Sequence, residues 1–127
     1  METLEVKVAR EVGAEGIAKM VAAFYVKVRT DDLIGPMYPD DDWEGSEERL
    51  RDFLEFRLLG DPTYTFKRGH PRLRMRHAGF SIGEAERDRW VALMSAAMVE
   101  AEVPDEVRAM LEAFFFQVAD FMRNERG

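Results

Sequence analysis

The sequence predicts an all-α protein, because apolar residues recur at helical spacing in four segments and no stretch alternates long enough to form a sheet. Of the 127 residues, 46% are hydrophobic and 34% are charged, which is typical of a globular domain. A chain of this length has room for one core, so residues 1–127 are expected to form a single domain. We find no apolar run of roughly 20 residues and no signal peptide, so we expect a cytoplasmic protein without a membrane span.

The first two predicted helices each have one apolar face. In residues 16–29 this face consists of Ile17, Met20, Val21, Phe24, Tyr25 and Val28. In residues 44–59 it consists of Leu50, Phe53, Leu54 and Leu58. Acidic residues in the first turn of the second segment favour a helix start there, since they interact well with the positive end of the helix dipole.

The third and fourth predicted helices repeat the pattern. In residues 84–101 the face consists of Trp90, Leu93, Met94, Ala97, Met98 and Ala101, and the residues from Ser81 to Glu84 predict a capping box. The fourth helix is predicted from Pro104 to about Arg123, with an inward face of Val107, Met110, Leu111, Phe114, Phe115 and Val118. Short helical turns are expected near residues 32–34 and 71–76.

Charge and cysteine content exclude several classes of function. The net charge of −7 disfavours non-specific binding to nucleic acid, which requires a positive surface. The chain has no cysteine, so it has no disulfide, no thiolate zinc site and no cysteine-ligated iron–sulfur cluster.

One stretch, RGHPRLRMRHAGF at residues 68–80, holds both histidines and four arginines. It lies in a gap of about 24 residues without regular pattern, and gaps of that length are often functional. The arginines are compatible with a solvated face or a small nucleic-acid patch, and the histidines with structural roles. His70 and His77 alone lack a third ligand for zinc. Haem iron, by contrast, needs only one histidine. These residues by themselves leave the alternatives open.

Three longer motifs carry a family resemblance. MYPDDDWEGSEERLRDFLE (37–55), GHPRLRMRHAGFSI (69–82) and ERDRW (86–90) together resemble the bacterial truncated haemoglobins of group II. The resemblance implies a single truncated-globin domain, a two-over-two helical sandwich around haem b (iron protoporphyrin IX). It also implies a homodimer.

The resemblance implies a role for each matching residue. His77 matches the iron ligand on the proximal side of the haem. Tyr25, Tyr38 and Trp90 match the polar cluster on the distal side, where a gas ligand binds. The positions implied to contact haem or line its pocket are Tyr38, Ser46, Arg49, Leu50, Phe53, Leu54, Tyr64, His77 and Trp90.

The resemblance implies a protein that binds dioxygen and other diatomic gases. Three hydrogen-bond donors around a partly negative oxygen ligand predict slow release, since a charge-assisted bond contributes about 1.5–3 kcal/mol. One alternative is a haem-dependent nitric oxide dioxygenase or peroxidase-like enzyme served by a separate, unknown reductase. Another is a haem-free helical protein that binds an anionic partner through residues 67–76.

Overall fold

The structure is a computed structural model that describes residues 2–61 and 82–123. Tyr64, His70, His77 and the turn predicted at 71–76 lie outside these ranges. The described chain forms five α-helices, one short 3-10 helix and no strand, which confirms the all-α prediction. The helices are α1 (Leu4–Glu11), α2 (Gly13–Arg29), the 3-10 helix (Gly35–Met37), α3 (Trp43–Leu59), α4 (Glu84–Glu100) and α5 (Asp105–Phe121).

The four predicted helices are present with small shifts at their ends. Helix α2 begins at Gly13, three residues before the predicted start, where a φ of +68° suits a residue without a Cβ. Helix α5 begins after Pro104, whose extended backbone (ψ 143°) places it at the N-cap, outside the helix. The turn predicted at residues 32–34 is present and continues into the 3-10 helix.

Helix α4 begins at Glu84 as predicted, but its cap is not the predicted pair of Ser81 and Glu84, of which Ser81 lies outside the described residues. The N-cap is Gly83, whose N–H donates to the Glu86 carboxylate at 2.7 Å. Glu86 therefore takes the role that the sequence motif assigned to Glu84, two residues further along the helix.

The sequence analysis does not predict helix α1. Only Val8 of its eight residues is buried, so the helix has no extended apolar face. Its stability comes from contacts with distant parts of the chain. It packs against α2, α3 and α5, and ion pairs join Glu5 to Arg57 on α3 (2.9 Å) and Lys7 to Glu106 on α5. A short helix is marginal alone, so these tertiary contacts decide its formation.

The long helices form two layers. Helix α2 pairs with α3, α4 pairs with α5, and α2 also packs across α4. This is the predicted two-over-two sandwich. The fully buried side chains come from all five helices and from the turn after α2, and the largest are Phe24, Phe115, Ile17, Met20, Ile34, Leu54, Leu58, Met94, Met98 and Leu111.

Helices α3 and α4 both pack on α2, yet in the described chain they share no substantial contact with each other. Both carry apolar side chains that touch the core and stay partly exposed: Leu50 and Phe56 on α3, and Trp90 and Leu93 on α4. The two helices therefore stand apart with apolar surface remaining on each.

The turn between α2 and the 3-10 helix is pressed against the end of α2. A Cβ at Gly35 would lie 2.7 Å from the carbonyl oxygen of Val28, which is too close for any other residue without a backbone shift. Glycine at this position therefore allows the chain to turn tightly towards Tyr38. None of the helices in residues 2–61 and 82–123 is both long and apolar enough for a transmembrane segment.

Two valines on α1 give a matched test of its packing. Val8 is fully buried, whereas Val6 is 50% exposed. We expect Val8→Ala to lower the free energy of unfolding by about 2 kcal/mol, since a buried methyl pair is lost. Val6→Ala should change it by less than about 0.5 kcal/mol. Urea denaturation of both variants measures the difference, and equal effects would show that α1 does not pack as described.

Candidate functional site

Two neighbouring side chains on α2 reach different parts of an aromatic cluster. Tyr25 makes edge contacts with Tyr38, at 5.5 Å between ring centroids, and with Trp43 at 6.3 Å. Tyr38, which directly follows the 3-10 helix, stacks on Trp43 at 5.6 Å. These three rings join the end of α2, the following turn and the start of α3.

The second part of the cluster joins α2 to α4 and α5. Phe24 packs against Trp90 at 4.9 Å between ring centroids, and Trp90 packs against Phe115 at 5.5 Å. Because Phe24 and Tyr25 are consecutive and their rings also touch, the two parts form one continuous cluster. The predicted distal residues Tyr25, Tyr38 and Trp90 are thus brought together.

The polar tips of these three residues meet at the Tyr38 hydroxyl. Burial raises the pKa of Tyr38, and hydrogen bonding from Trp90 and from Tyr25 opposes that rise. An indole N–H can only donate, so Trp90 is the donor in its interaction with Tyr38. The Tyr38 hydroxyl therefore interacts with both Trp90 and Tyr25.

Tyr25 is the most deeply buried of the three, with 4% of its surface exposed. Burial is the main cause of a strongly raised pKa, with the interaction with Tyr38 next, while the positive charge of Arg49 acts in the opposite direction. The Tyr25 hydroxyl consequently stays protonated and remains a hydrogen-bond donor throughout the physiological pH range.

Arg49 and Ser46 on α3 form a polar group beside this cluster. The Arg49 guanidinium donates to the Ser46 hydroxyl at 3.2 Å and to the Asp42 carboxylate at 3.1 Å. Ser46 is 5% exposed, so its hydroxyl is a buried polar group with a partner. Gly45 permits this arrangement, because a Cβ there would collide with the Asp42 carboxylate.

The remaining predicted pocket residues on α3 have different environments. Leu50 is partly exposed, whereas Phe53 (9% exposed) and Leu54 (1% exposed) belong to the core. Tyr64 and His77 lie outside the described residues, so their predicted roles stay predictions.

A buried carboxylate lies close to the cluster and was missed by the sequence analysis. Asp31, which follows α2, accepts from the Leu33 and Ile34 N–H groups (3.1 and 2.9 Å) and from Arg89 on α4 (2.6 Å). Its side chain is 8% exposed. Burial disfavours its ionisation, but the hydrogen bonds from Ile34, Arg89 and Leu33 outweigh this and lower the pKa of Asp31.

The sequence analysis also did not identify Trp43 as part of the aromatic cluster or Asp31 and Arg89 as an ion pair. Trp43 begins α3 and is one of two tryptophans in the chain, which was a usable signal for a ring at this junction. Asp31 and Arg89 are separated by 58 residues, so no local pattern could have paired them.

Comparison with known proteins identifies the family. Residues 10–124 match the bacterial-like globins. Group 2 truncated hemoglobin YjbI of Bacillus subtilis is 35% identical over 100 residues, which cover 79% of this chain and 75% of that protein. The chain belongs to the group II truncated haemoglobins.

Two solved structures have the same fold as this truncated haemoglobin. The hemoglobin of Chloroflexus aurantiacus is 38% identical, with a TM-score of 0.86 and coverage of 98% of this chain and 100% of that one. The truncated oxygen-avid haemoglobin of Bacillus subtilis is 32% identical, with a TM-score of 0.85 and coverage of 91% and 98%. As a member of this family, the protein binds haem and a gaseous ligand.

The described residues fit a haem. A porphyrin is a flat, mainly apolar group, and α3 and α4 stand apart with partly exposed apolar side chains on both. Protonated donors of the Tyr25, Tyr38 and Trp90 cluster lie inside this otherwise apolar fold. This truncated haemoglobin therefore offers both an apolar surface for the ring and a polar group for a ligand.

The lowered pKa of Asp31 makes part of the stability pH-dependent. A carboxylate whose pKa is lowered by folding stabilises the folded protein. This stabilisation is fully present above the pKa of the unfolded chain, about 4, and is lost as the pH falls through the pKa of the folded protein. We expect Asp31→Asn to have a lower free energy of unfolding than the wild type at pH 7. This difference in free energy should become smaller below about pH 4.

Chemical denaturation between pH 7 and pH 3 measures this difference in the free energy of unfolding. Asp32→Asn is the matched control, because Asp32 approaches the same arginine at 3.5 Å but its side chain is 95% exposed. It should follow the wild-type curve. If the difference between Asp31→Asn and the wild type did not change with pH, the Asp31 carboxylate would not stabilise the fold through its charge.

Proposed function

We propose that this truncated haemoglobin holds haem b through His77 and binds dioxygen and other diatomic gases, which it releases slowly. The observation that carries the proposal is the single cluster that contains Tyr25, Tyr38 and Trp90 and is linked through Phe24. When bound, haem would supply the iron that takes up the gas. His77 is proposed, from the motif match, as the histidine that would hold this iron.

The polar cluster has a donor to offer to a gas ligand. A tyrosine hydroxyl carries one proton and two acceptor lone pairs. Donation from the Trp90 indole would occupy an acceptor position of Tyr38 and leave its own proton to be donated. We infer that Tyr38 is the principal donor to the ligand and that Tyr25 and Trp90 hold its hydroxyl in orientation.

The surroundings strengthen this hydrogen bond. Phe24, Trp43 and Phe115 pack against the cluster and reduce the access of water to its donors. A charge-assisted bond of about 1.5–3 kcal/mol that is lost on dissociation slows release by roughly ten- to a hundredfold. The oxygen-avid haemoglobin of Bacillus subtilis, a relative of this chain, supports the proposal of slow oxygen release.

Other side chains are proposed to contact the haem itself. Leu50 contributes apolar surface on α3, with Phe53 and Leu54 behind it. Arg49 is held by Ser46 and Asp42, so it reaches a haem edge only as part of that polar group. Tyr64 is proposed at the same edge from the motif alone. A homodimer, a cytoplasmic location and a separate reductase stay predictions.

Visible absorption spectra of the purified protein test the haem proposal. We expect a strong Soret band that shifts when carbon monoxide is added to the reduced protein. His77→Ala should weaken or alter this band, because the iron loses its protein ligand. The matched control is His70→Ala, which should leave it unchanged. Absence of a Soret band after haem is added back would refute haem binding.

Oxygen release tests the hydrogen-bonding scheme. Tyr38→Phe alone frees the Trp90 donor, which can replace the lost bond, so we expect only a modest acceleration. The double change Tyr38→Phe with Trp90→Phe should accelerate release by about ten- to a hundredfold, more than the product of the single effects.

Stopped-flow oxygen release measures these rates, with Trp43→Phe as control because it keeps an aromatic ring beside Tyr38. Additive effects of the two changes would show that Tyr38 and Trp90 act independently. Sustained nitric oxide consumption with an added reductase would instead favour the dioxygenase alternative.

A further inference from the structure

We propose that Asp31 and Arg89 are positioning residues, whose ion pair sets the register between the Tyr38 hydroxyl and the Trp90 indole. The proposal deepens the function proposed above and rests on it for one readout, the rate of gas release. It concerns two residues that do not belong to the aromatic cluster but lie on the two segments that carry it.

Asp31 controls the segment that leads to Tyr38. Its carboxylate accepts from the Leu33 and Ile34 N–H groups, which closes the turn after α2. Its carbonyl oxygen accepts from the Gly35 N–H at 3.1 Å, and the Gly35 carbonyl in turn accepts from the Tyr38 N–H at 3.1 Å. A short series of hydrogen bonds therefore connects Asp31 to the backbone of Tyr38.

Arg89 controls the segment that carries the indole. It directly precedes Trp90 on α4, whose first turn is fixed by the bond between Gly83 and Glu86. The Trp90 ring is held between Phe24 and Phe115. A displacement of Arg89 along or around α4 therefore displaces Trp90 with it.

The geometry of the pair distinguishes it from an ordinary surface ion pair. The Asp31 carboxylate is 8% exposed and both of its oxygens are bonded, with Arg89 at 2.6 Å. The neighbouring Asp32 lies 3.5 Å from the same guanidinium and is 95% exposed. An exposed pair of the second kind contributes little and fixes no geometry. The Arg89 side chain is 42% exposed, but the buried Asp31 carboxylate is held by the turn as well and ties it to α4 at a defined point.

Four variants separate positioning from mere stabilisation. Asp31→Asn keeps an oxygen for the turn but loses the ion pair, and Arg89→Met removes the cation while leaving the turn intact. Arg89→Lys restores a positive charge. Asp32→Asn is the matched control on the exposed side.

The first readout is the Trp90 indole N–H resonance of the carbon monoxide-bound ferrous protein, assigned by its loss in Trp90→Phe. We expect Asp31→Asn and Arg89→Met to shift this resonance by similar amounts and to speed its exchange with water by about tenfold. Arg89→Lys should shift it less, and Asp32→Asn should leave it in place. A change in stability alone does not move a native-state resonance.

The second readout is oxygen release, which should accelerate by about three- to tenfold in Asp31→Asn and Arg89→Met. Wild-type resonance and release in both variants, whatever their melting temperatures, would overturn the proposal. If the wild type binds no haem, the proposed function fails, and the indole resonance of the protein without haem still decides whether the pair positions Trp90.

Discussion

Helix α2 is the element on which the rest of the site depends, because it packs on α3 and on α4 while those two helices stand apart. Its consecutive residues Phe24 and Tyr25 contact Trp90 on one side and Tyr38 on the other. One rigid helix thereby fixes both halves of the aromatic cluster. A shift of α2 would change the spacing of the outer helices and the meeting point of the polar tips together.

Placing hydroxyls and an indole N–H in an apolar cluster is unfavourable unless each finds a partner. Here the partners are each other, since Tyr25 and Trp90 both interact with the Tyr38 hydroxyl. Burial raises the pKa of both tyrosines, so their hydroxyls stay protonated.

Charged side chains in this acidic chain act mainly at the junctions between elements. Arg49 joins the start of α3 to the residues before it, Arg57 joins α3 to α1, and Arg89 joins α4 to the turn after α2. Most such pairs are exposed and contribute little individually. The pair with the buried Asp31 carboxylate differs, because a buried carboxylate without its partners would be costly.

The sequence by itself determined the four long helices and, through the family motifs, the two-over-two arrangement. It also grouped Tyr25, Tyr38 and Trp90, which the structure brings into one cluster and whose role at the haem stays a prediction. These follow from local information, namely apolar spacing within each helix and motifs of contiguous residues. Its assignments for His77 and Tyr64 rest on the same motifs and concern residues outside the described part of the chain.

Only the tertiary structure decided helix α1, the Gly83 cap of α4, the stacking of Trp43 on Tyr38 and the pairing of Asp31 with Arg89. Each depends on which distant residues meet or on a choice between neighbouring caps of similar strength. Helix α1 has a single buried residue, and the ion pair joins positions 58 residues apart. Periodicity within one segment carries no information about such partners, because they are fixed by the packing of whole helices.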